Sequence, residues 1–285
     1  MTSVSVVMPV YNRAHVVRRA LDSALDEVDA LGSDAEVIVV DDGSSDDLVG
    51  ALRSYGDRVS LIRHTNNGGA AAARNTGVAA AAGEYVAFLD SDDAWQSGKL
   101  AVQIEAMRKN RWPASCTAFY LSRPGLPDLV SPRYAAGPLQ LRDLVWGCFV
   151  SPGSTLVFER RLFAEIGPLD TRLGRLEDWD WLLRYARRFE LGFLDQPLTR
   201  VTASSYADLD PVLAAIETLR TKHLPELGWR DRTHLAAALD LARAASHFRA
   251  GDKVRAVSML LRSWFRAPIG HVALGTVLHN RFARS

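Results

Sequence analysis

Apolar positions in the first hundred residues fall into short, nearly continuous runs. Between them lie stretches where apolar side chains recur every three to four positions. Residues 4–8 predict a buried strand stopped by Pro9. Residues 14–25 predict a helix with Val17, Ala20, Leu21, Ala24 and Leu25 on one face. A strand at 36–40 runs into the turn signal Asp41-Asp42-Gly43, followed by a helix at 46–55, a strand at 59–63, an alanine-rich helix at 69–82 and a strand at 85–89. Short apolar strands alternating with helices predict a mostly parallel α/β sheet covered on both faces. Ligands of such sheets bind beyond the carboxyl ends of the strands. Residues 9–13, 41–45, 66–69 and 90–93 all fall there, so four polar loops are expected on one rim.

Beyond residue 99 the pattern is mixed. Helices are expected at 99–110, 139–146, 161–166 and 177–189, strands at 115–121, 154–158 and 191–195, and a proline- and turn-rich stretch at 123–137. From residue 211 only helical periodicity is visible. A boundary near 203–210 would separate a catalytic domain, 1–205, from a helical C-terminal region, 206–285.

The run Tyr85-Val86-Ala87-Phe88-Leu89-Asp90-Ser91-Asp92-Asp93 carries the most chemistry. Side chains alternate along a strand, so Asp90 and Asp92 point the same way from its end. Two converging carboxylates suit a hard divalent cation, Mg²⁺ or Mn²⁺, which keeps positions open for substrate phosphates. The competing reading is an acidic turn or helix cap. An EF-hand is excluded, because Ala94 and Trp95 stand where that loop needs a ligand and its glycine. Neither a Walker pattern nor a Rossmann fingerprint is present, so diphosphate charge falls to the metal.

Composition narrows the field. The 285 residues are 48% hydrophobic with a net charge of +1, which gives no global electrostatic case for nucleic acid or membrane. Two cysteines, Cys116 and Cys148, fit a reducing cytoplasm rather than a disulfide scaffold. The N-terminus reads as a strand without a signal peptide, and no apolar run reaches the ~18–20 residues of a membrane span.

Six segments in order resemble the inverting family 2 glycosyltransferases of bacterial cell-surface polysaccharide synthesis, which have the GT-A fold. They are Ser5-Val6-Val7-Met8-Pro9-Val10-Tyr11-Asn12, Val39-Val40-Asp41-Asp42-Gly43-Ser44-Ser45-Asp46, Asn67-Gly68-Gly69 with Ala73-Arg74-Asn75-Thr76-Gly77, Gly83-Glu84-Tyr85 leading into Asp90-Ser91-Asp92-Asp93, Ile166-Gly167-Pro168-Leu169-Asp170, and Glu177-Asp178-Trp179-Asp180-Trp181. The resemblance covers roughly the first two hundred residues. It implies a metal-dependent transferase that moves a sugar from a nucleotide-diphosphate sugar, with UDP preferred, to a saccharide or lipid-linked acceptor by single displacement.

Residue roles follow from that resemblance. Pro9 and Tyr11 form part of the nucleotide pocket, and Asp42, with Asp41 beside it, accepts a hydrogen bond from the base N–H. Arg74 contacts nucleotide or orders the carboxylates, the alternative being an exposed helix arginine. Asp90 faces the ribose and the metal, and Asp92 is the metal ligand. Asp178 is the general base, with Glu177 the neighbouring candidate and Asp180 a third. Trp181 and Tyr185 share a helical face with Asp178 and would offer an aromatic platform to the acceptor. One departure stands out. The segment 198–205 lacks the histidine that many relatives carry near the metal, so either Arg200 serves the leaving group instead or the metal is held more weakly. Two rivals to this function are a sugar-1-phosphate nucleotidyltransferase, whose glycine-rich first loop is absent, and a non-catalytic protein that binds nucleotide sugars or serves only as a scaffold.

The C-terminal region lies outside the resemblance. Its Ala250-Gly251-Asp252 turn suggests one helix-turn-helix unit of tetratricopeptide kind. From 249 to 285 there are seven Lys/Arg against one Asp, a local net of +6, interleaved with Trp264, Phe265, Ile269, Val272, Leu274 and Phe282. Such a segment fits either an ordinary hairpin with a solvated basic face or a peripheral contact with the inner face of the cell membrane.

Overall fold

The computed structural model describes residues 3–32, 34–131, 134–203 and 209–267. They form two compact units: one of Met1–Leu139, Val150–Thr171 and Phe189–Ala203, the other of Gln140–Phe149, Arg172–Arg188 and Ser204–Ser285.

The first unit is built on strands β1 (Val4–Val10), β2 (Ala35–Asp41), β3 (Val59–Arg63), β4 (Tyr85–Phe88), β5 (Ala94–Trp95), β6 (Ala114–Arg123), β7 (Leu126–Ser131), β8 (Gly137–Leu139), β9 (Val157–Glu159) and β10 (Leu191–Thr202). Their order is β3-β2-β1-β4-β9-β6-β10-β5, with β7 beside β6 and β8 beside β10. The β3-β2-β1-β4 half is wholly parallel, and β6 pairs in parallel with β10. Antiparallel β9 joins the two halves. Around the sheet run α1 (Val17–Leu31), α2 (Leu48–Leu52), α3 (Gly69–Ala80), α4 (Lys99–Asn110), and the short α6 (Pro152–Thr155) and α7 (Arg161–Ile166). The second unit holds α5 (Leu141–Leu144), α8 (Glu177–Tyr185), α9 (Leu209–His223), α10 (Trp229–Arg249) and α11 (Lys253–Arg266). This is the expected GT-A architecture with C-terminal helices.

The inner parallel strands β1, β2 and β4 are mostly apolar because helices cover them on both faces, whereas the edge strand β3 is largely exposed. Val4, Val6, Val7, Met8 and Val37–Val40 are all buried. Helix α1 buries Val17, Ala20, Leu21, Ala24 and Leu25, the face its periodicity marks. It begins at Val17 rather than residue 14, because the Ala14 N–H is held by Asp46 Oδ2 at 2.8 Å.

Several expected elements differ. The helix at 46–55 is a single α-turn, Leu48–Leu52, continued by a 3-10 stretch, Arg53–Arg58. The Asp47 side chain caps the first through Gly50 N at 2.9 Å, and Gly56 kinks the second. The turn-rich 123–137 region contains β7, folded onto β6 across Gly125. The strand expected at 154–158 begins as a helical turn, because Pro152 starts a helix and the Thr155 hydroxyl donates back to the Val150 carbonyl. Strand β10 runs on through Pro197 to Thr202, since two register shifts let it stay paired with β6. Helix α8 stops at Tyr185, short of residue 189.

In the second unit α10 and α11 form a helical hairpin, its turn at Gly251 (φ +85°) and Asp252, whose side chain caps Arg255 N. Among the described residues no helix is long and apolar enough to cross a membrane.

Candidate active site

The carboxyl ends of β1, β2 and β4 present loops expected on one rim, and hydrogen bonds between backbone N–H groups and side chains stitch the first two together. Asn12 takes a left-handed conformation (φ 51°), which a short amide side chain tolerates. Its N–H donates to Ser44 Oγ at 2.9 Å while its Oδ1 accepts from Ser45 N at 2.8 Å. Gly43 (φ +76°) lies so close to the third loop that a Cβ there would stand 2.8 Å from the Asn66 carbonyl carbon. Tyr11 projects from the end of β1 46% exposed, and Pro9 is half-buried beside it.

Asp41 and Asp42 end β2 and are both buried. Asp41 Oδ1 accepts from Ser44 N at 2.8 Å, and Arg63 Nε stands 3.1 Å from its Oδ2. Asp42 draws the third loop onto the start of α3: Oδ1 accepts from Gly68 N at 2.9 Å and Oδ2 from Gly69 N at 2.7 Å. A carboxylate offers about four acceptor positions. His64 Nδ1, 2.7 Å from Oδ1, takes a third, leaving one on Oδ2. His64 Nε2 is held by Thr76 Oγ1 at 2.9 Å. His64 lines a cleft of about 270 Å³ with Gly43, Ser44, Arg63 and Thr65. It escaped the sequence reading, although it directly follows the apolar run of β3.

The acidic triplet divides by exposure. The Asp90 and Asp92 side chains are 36% and 24% exposed, whereas Asp93 is buried. Asp90 Oδ1 receives Arg74 Nη2 at 2.6 Å, and the guanidinium lies 5.6 Å from the Phe88 ring centre. Arg74 is 4% exposed, so it is not the exposed helix arginine; it orders Asp90. Arg13 Nη1 stands 3.3 Å from Asp92 Oδ2. Asp93 instead binds the turn to the scaffold: its Oδ2 accepts from Ser154 Oγ at 2.5 Å and its Oδ1 from Thr202 N at 2.8 Å. Burial and the neighbouring Asp90 charge push the Asp93 carboxyl up to about 8. Thr202 Oγ1 and Arg19 Nη2 both donate to the Asp92 carbonyl. The end of β10 thus reaches the acidic turn through Thr202, where a histidine was looked for. Arg200 pairs with Asp128 on β7. Residues 204 and 205 of that segment lie outside the described residues.

Two half-exposed carboxylates at the end of β4 are hard oxygen ligands of the kind Mg²⁺ and Mn²⁺ take. Among the described residues no group of three or more His, Cys, Asp or Glu gathers for a metal.

In the second unit Glu177, Asp178 and Asp180 occupy the first turn of α8, where acids complement the helix dipole. The residue before them, Leu176, takes φ 62°, an uncommon conformation for a branched side chain. Asp178 is half-buried, with Oδ1 accepting from Trp179 N at 2.7 Å; Glu177 is buried. Asp180 is fully enclosed. Its Oδ1 meets His223 Nε2 and Lys222 Nζ, each at 2.8 Å, and its Oδ2 meets Arg184 Nε at 3.0 Å. Burial would raise its carboxyl, but the His223 and Lys222 hydrogen bonds and the Arg184 charge outweigh it and hold the pKa below the ordinary value. Asp180 is therefore a structural hub, not a spare base. Trp181 and Tyr185 are also corrected: they are 2% and 0% exposed and stack on each other at 5.6 Å. Their apolar faces supply core packing, so they form no open platform.

The sheet carries Asp90 and Asp92 beyond the carboxyl end of β4, where ligands of open α/β sheets bind. The chain belongs to glycosyl transferase family 2, whose model matches residues 5–167. An uncharacterized glycosyltransferase of Rickettsia felis is 32% identical over 211 residues, 71% of this chain but 33% of the relative, so this chain spans about a third of that protein's length. The Escherichia coli UDP-Glc:alpha-D-GlcNAc-diphosphoundecaprenol beta-1,3-glucosyltransferase WfgD is 41% identical over 108 residues, 38% of this chain and 42% of WfgD. The fold is that of Staphylococcus aureus TarS 1–349 in complex with UDP-GlcNAc (TM-score 0.62, 18% identity, 94% of this chain and 93% of TarS). It is also that of the Pyrobaculum calidifontis mannosyltransferase PcManGT with GDP-Man and Mn²⁺ (TM-score 0.61, 19% identity, 99% and 80%).

Proposed function

We propose that this glycosyltransferase transfers a sugar from a nucleotide-diphosphate sugar, with UDP as the preferred nucleotide, to a saccharide or lipid-linked acceptor with inversion, in the synthesis of a cell-surface polysaccharide. The observation that carries the reading is the division of the acidic turn. Asp93 is consumed by Ser154 and Thr202, while Asp90 and Asp92 stay accessible at the end of β4. WfgD, named for a UDP-glucose donor and a diphosphoundecaprenol acceptor, supports the donor and acceptor classes, and the UDP-GlcNAc complex of TarS supports the nucleotide.

In this reading Tyr11 and Pro9 flank the base, and Asp42, with Asp41 beside it, receives its ring N–H. Asp90, steadied by Arg74, faces the ribose, and Asp92 with Asp90 would hold Mn²⁺ or Mg²⁺. When bound, that ion supplies Lewis-acid stabilisation of the departing diphosphate. Asp178 takes the proton from the acceptor hydroxyl, Glu177 being the neighbouring alternative. The acceptor oxygen then bonds to the anomeric carbon as the bond to the diphosphate breaks, in a single displacement. Residues 1–205 would contain the catalytic domain and 206–285 a helical appendage.

The test is a thermal-shift panel of nucleotide diphosphates and sugars with and without Mn²⁺, followed by turnover and anomeric analysis of the product. A nucleotide at a hundred times its Kd stabilises by about 2.7 kcal/mol. A Mn²⁺-dependent shift with UDP, lost in Asp92→Ala, is expected. Asp178→Asn should keep that shift and lower kcat by ~10²–10⁴. A shift indifferent to metal and to Asp92, or a retained anomeric configuration, would overturn the reading. No shift with any nucleotide would leave the scaffold.

A further inference from the structure

Helix α11 packs the wrong way round for a core helix. The side chains it buries are its smallest: Ala256 and Ser263, with Ala267 just past its end. The Ser263 hydroxyl donates to the Ala237 carbonyl of α10 at 2.8 Å, which fixes this seam. Its large apolar side chains face outward instead, with Val254 83%, Trp264 51% and Phe265 82% exposed, and Val257 and Leu261 between them. Positions 254, 257, 261, 264 and 265 follow the three-and-four spacing of one helical stripe, so the exposure is contiguous. A contiguous exposed apolar stripe marks an interaction surface.

The charges identify its partner. Arg255, Arg262 and Arg266 recur at seven and four on the adjacent stripe, and Lys253 precedes them. Arg255 lies 3.5 Å from Asp252 and Arg266 3.3 Å from Asp240, but α11 itself carries no carboxylate. From 253 to 285 the sequence has six Lys/Arg and no Asp or Glu. A second copy of this helix would bring like charges together, and residues 268–285, which lie outside the described residues, add Arg281 and Arg284 and no carboxylate. An anionic bilayer satisfies both stripes at once. Trp and Phe settle at the headgroup boundary, and the arginines meet phosphates beside them.

We propose that the exposed face of α11 is a docking surface for an anionic lipid bilayer, with the helix lying in the interface plane. Of the segment read from sequence as amphipathic, this confines the contact within the described residues to Val254–Phe265. Ile269, Val272, Leu274 and Phe282 lie outside them.

The experiment is flotation of the full chain with vesicles of phosphatidylcholine and phosphatidylglycerol, against pure phosphatidylcholine, with light scattering of the lipid-free protein. It reads binding without turnover, so its failure is separable from failure of the donor reading. The wild type should float with the anionic vesicles only, and raising the salt several-fold should release it. Trp264→Ser/Phe265→Ser should weaken partitioning about tenfold or more. Its circular dichroism and melting should not change, because both side chains are exposed in the folded chain. No flotation, or flotation indifferent to the double substitution, overturns the proposal. So does a wild-type dimer that the same substitution splits while vesicles go unbound, which would make this face a contact between copies of the chain.

Discussion

Lys99 is fully enclosed in the first unit, and its ammonium finds no hydrogen-bond acceptor among the described residues. It lies 4.1 Å above the Trp95 ring. A cation over an indole recovers part of the cost of leaving water, but not all of it. Burial lowers its pKa from 10.5 to about 7, against the raising influence of Cys116 and Glu27. Between those values the unfolded chain binds more protons than the folded one, so stability rises with pH from about 7 to 10.5. Lys99→Met fills nearly the same space without the charge. It should stabilise the protein at pH 7 by on the order of 2 kcal/mol, and its advantage should shrink towards pH 10. Urea midpoints at the two pH values check both the sign and the window.

Gly153 works at the same scale but on the site. A Cβ there would meet Asp90 Oδ2 at 2.6 Å and Arg74 Nη2 at 2.9 Å. Asp90 is half-exposed and can swing away, so the cost should fall on the ion pair rather than on the fold. Gly153→Ala is expected to leave the melting temperature nearly unchanged and to weaken Mn²⁺-dependent nucleotide binding several-fold; calorimetric titration reads the difference. The sequence held no signal for this contact, because Gly153 and Asp90 are 63 positions apart.

At the scale of elements, α8 shows how one acidic motif divides its labour. Positions 178 and 180 lie about 200° apart around a helix. Asp178 is therefore left half-buried, while Asp180 is turned into the second unit. There Arg187 Nη2, which can only donate, lies 3.0 Å from His223 Nδ1, so the ring proton sits on Nε2, facing Asp180. Removing one partner of a buried charge network leaves the others uncompensated. Asp180→Ala takes the carboxylate out of this network beside the buried His223 and should cost ~3–5 kcal/mol, lowering the denaturation midpoint, while the nucleotide shift of any folded fraction persists. The Glu-Asp-Trp-Asp-Trp pattern was legible as a helix start. Which acid faces inward, and that Trp181 and Tyr185 are packing rather than platform, was not.

At the scale of the whole molecule, sequence and structure agree where local periodicity and burial ask for the same thing. Helix α4 falls at residues 99–110 as its spacing implied, and β1 to β4 appear in order with α1 and α3 between them. They disagree where distant pairing overrides local signals, as when β10 crosses Pro197 to stay on β6, or when Pro152–Thr155 winds into a turn under the acidic loop. The amphipathic C-terminus is the clearest case. Its composition favoured a hairpin with a solvated basic face over a lipid surface, and the seam of Ala256 and Ser263 turned the bulky side chains outward.

By itself, the sequence determined the parallel α/β core, the loops at its carboxyl edge and the acidic residues those loops carry. Hydrophobic period and turn chemistry are local properties, written within a few residues. Only the tertiary structure decided which acids are accessible: Asp90 and Asp92 rather than Asp93, Asp178 rather than Asp180. Accessibility depends on partners such as Ser154, Thr202 and His223, brought in from tens of residues away by folding.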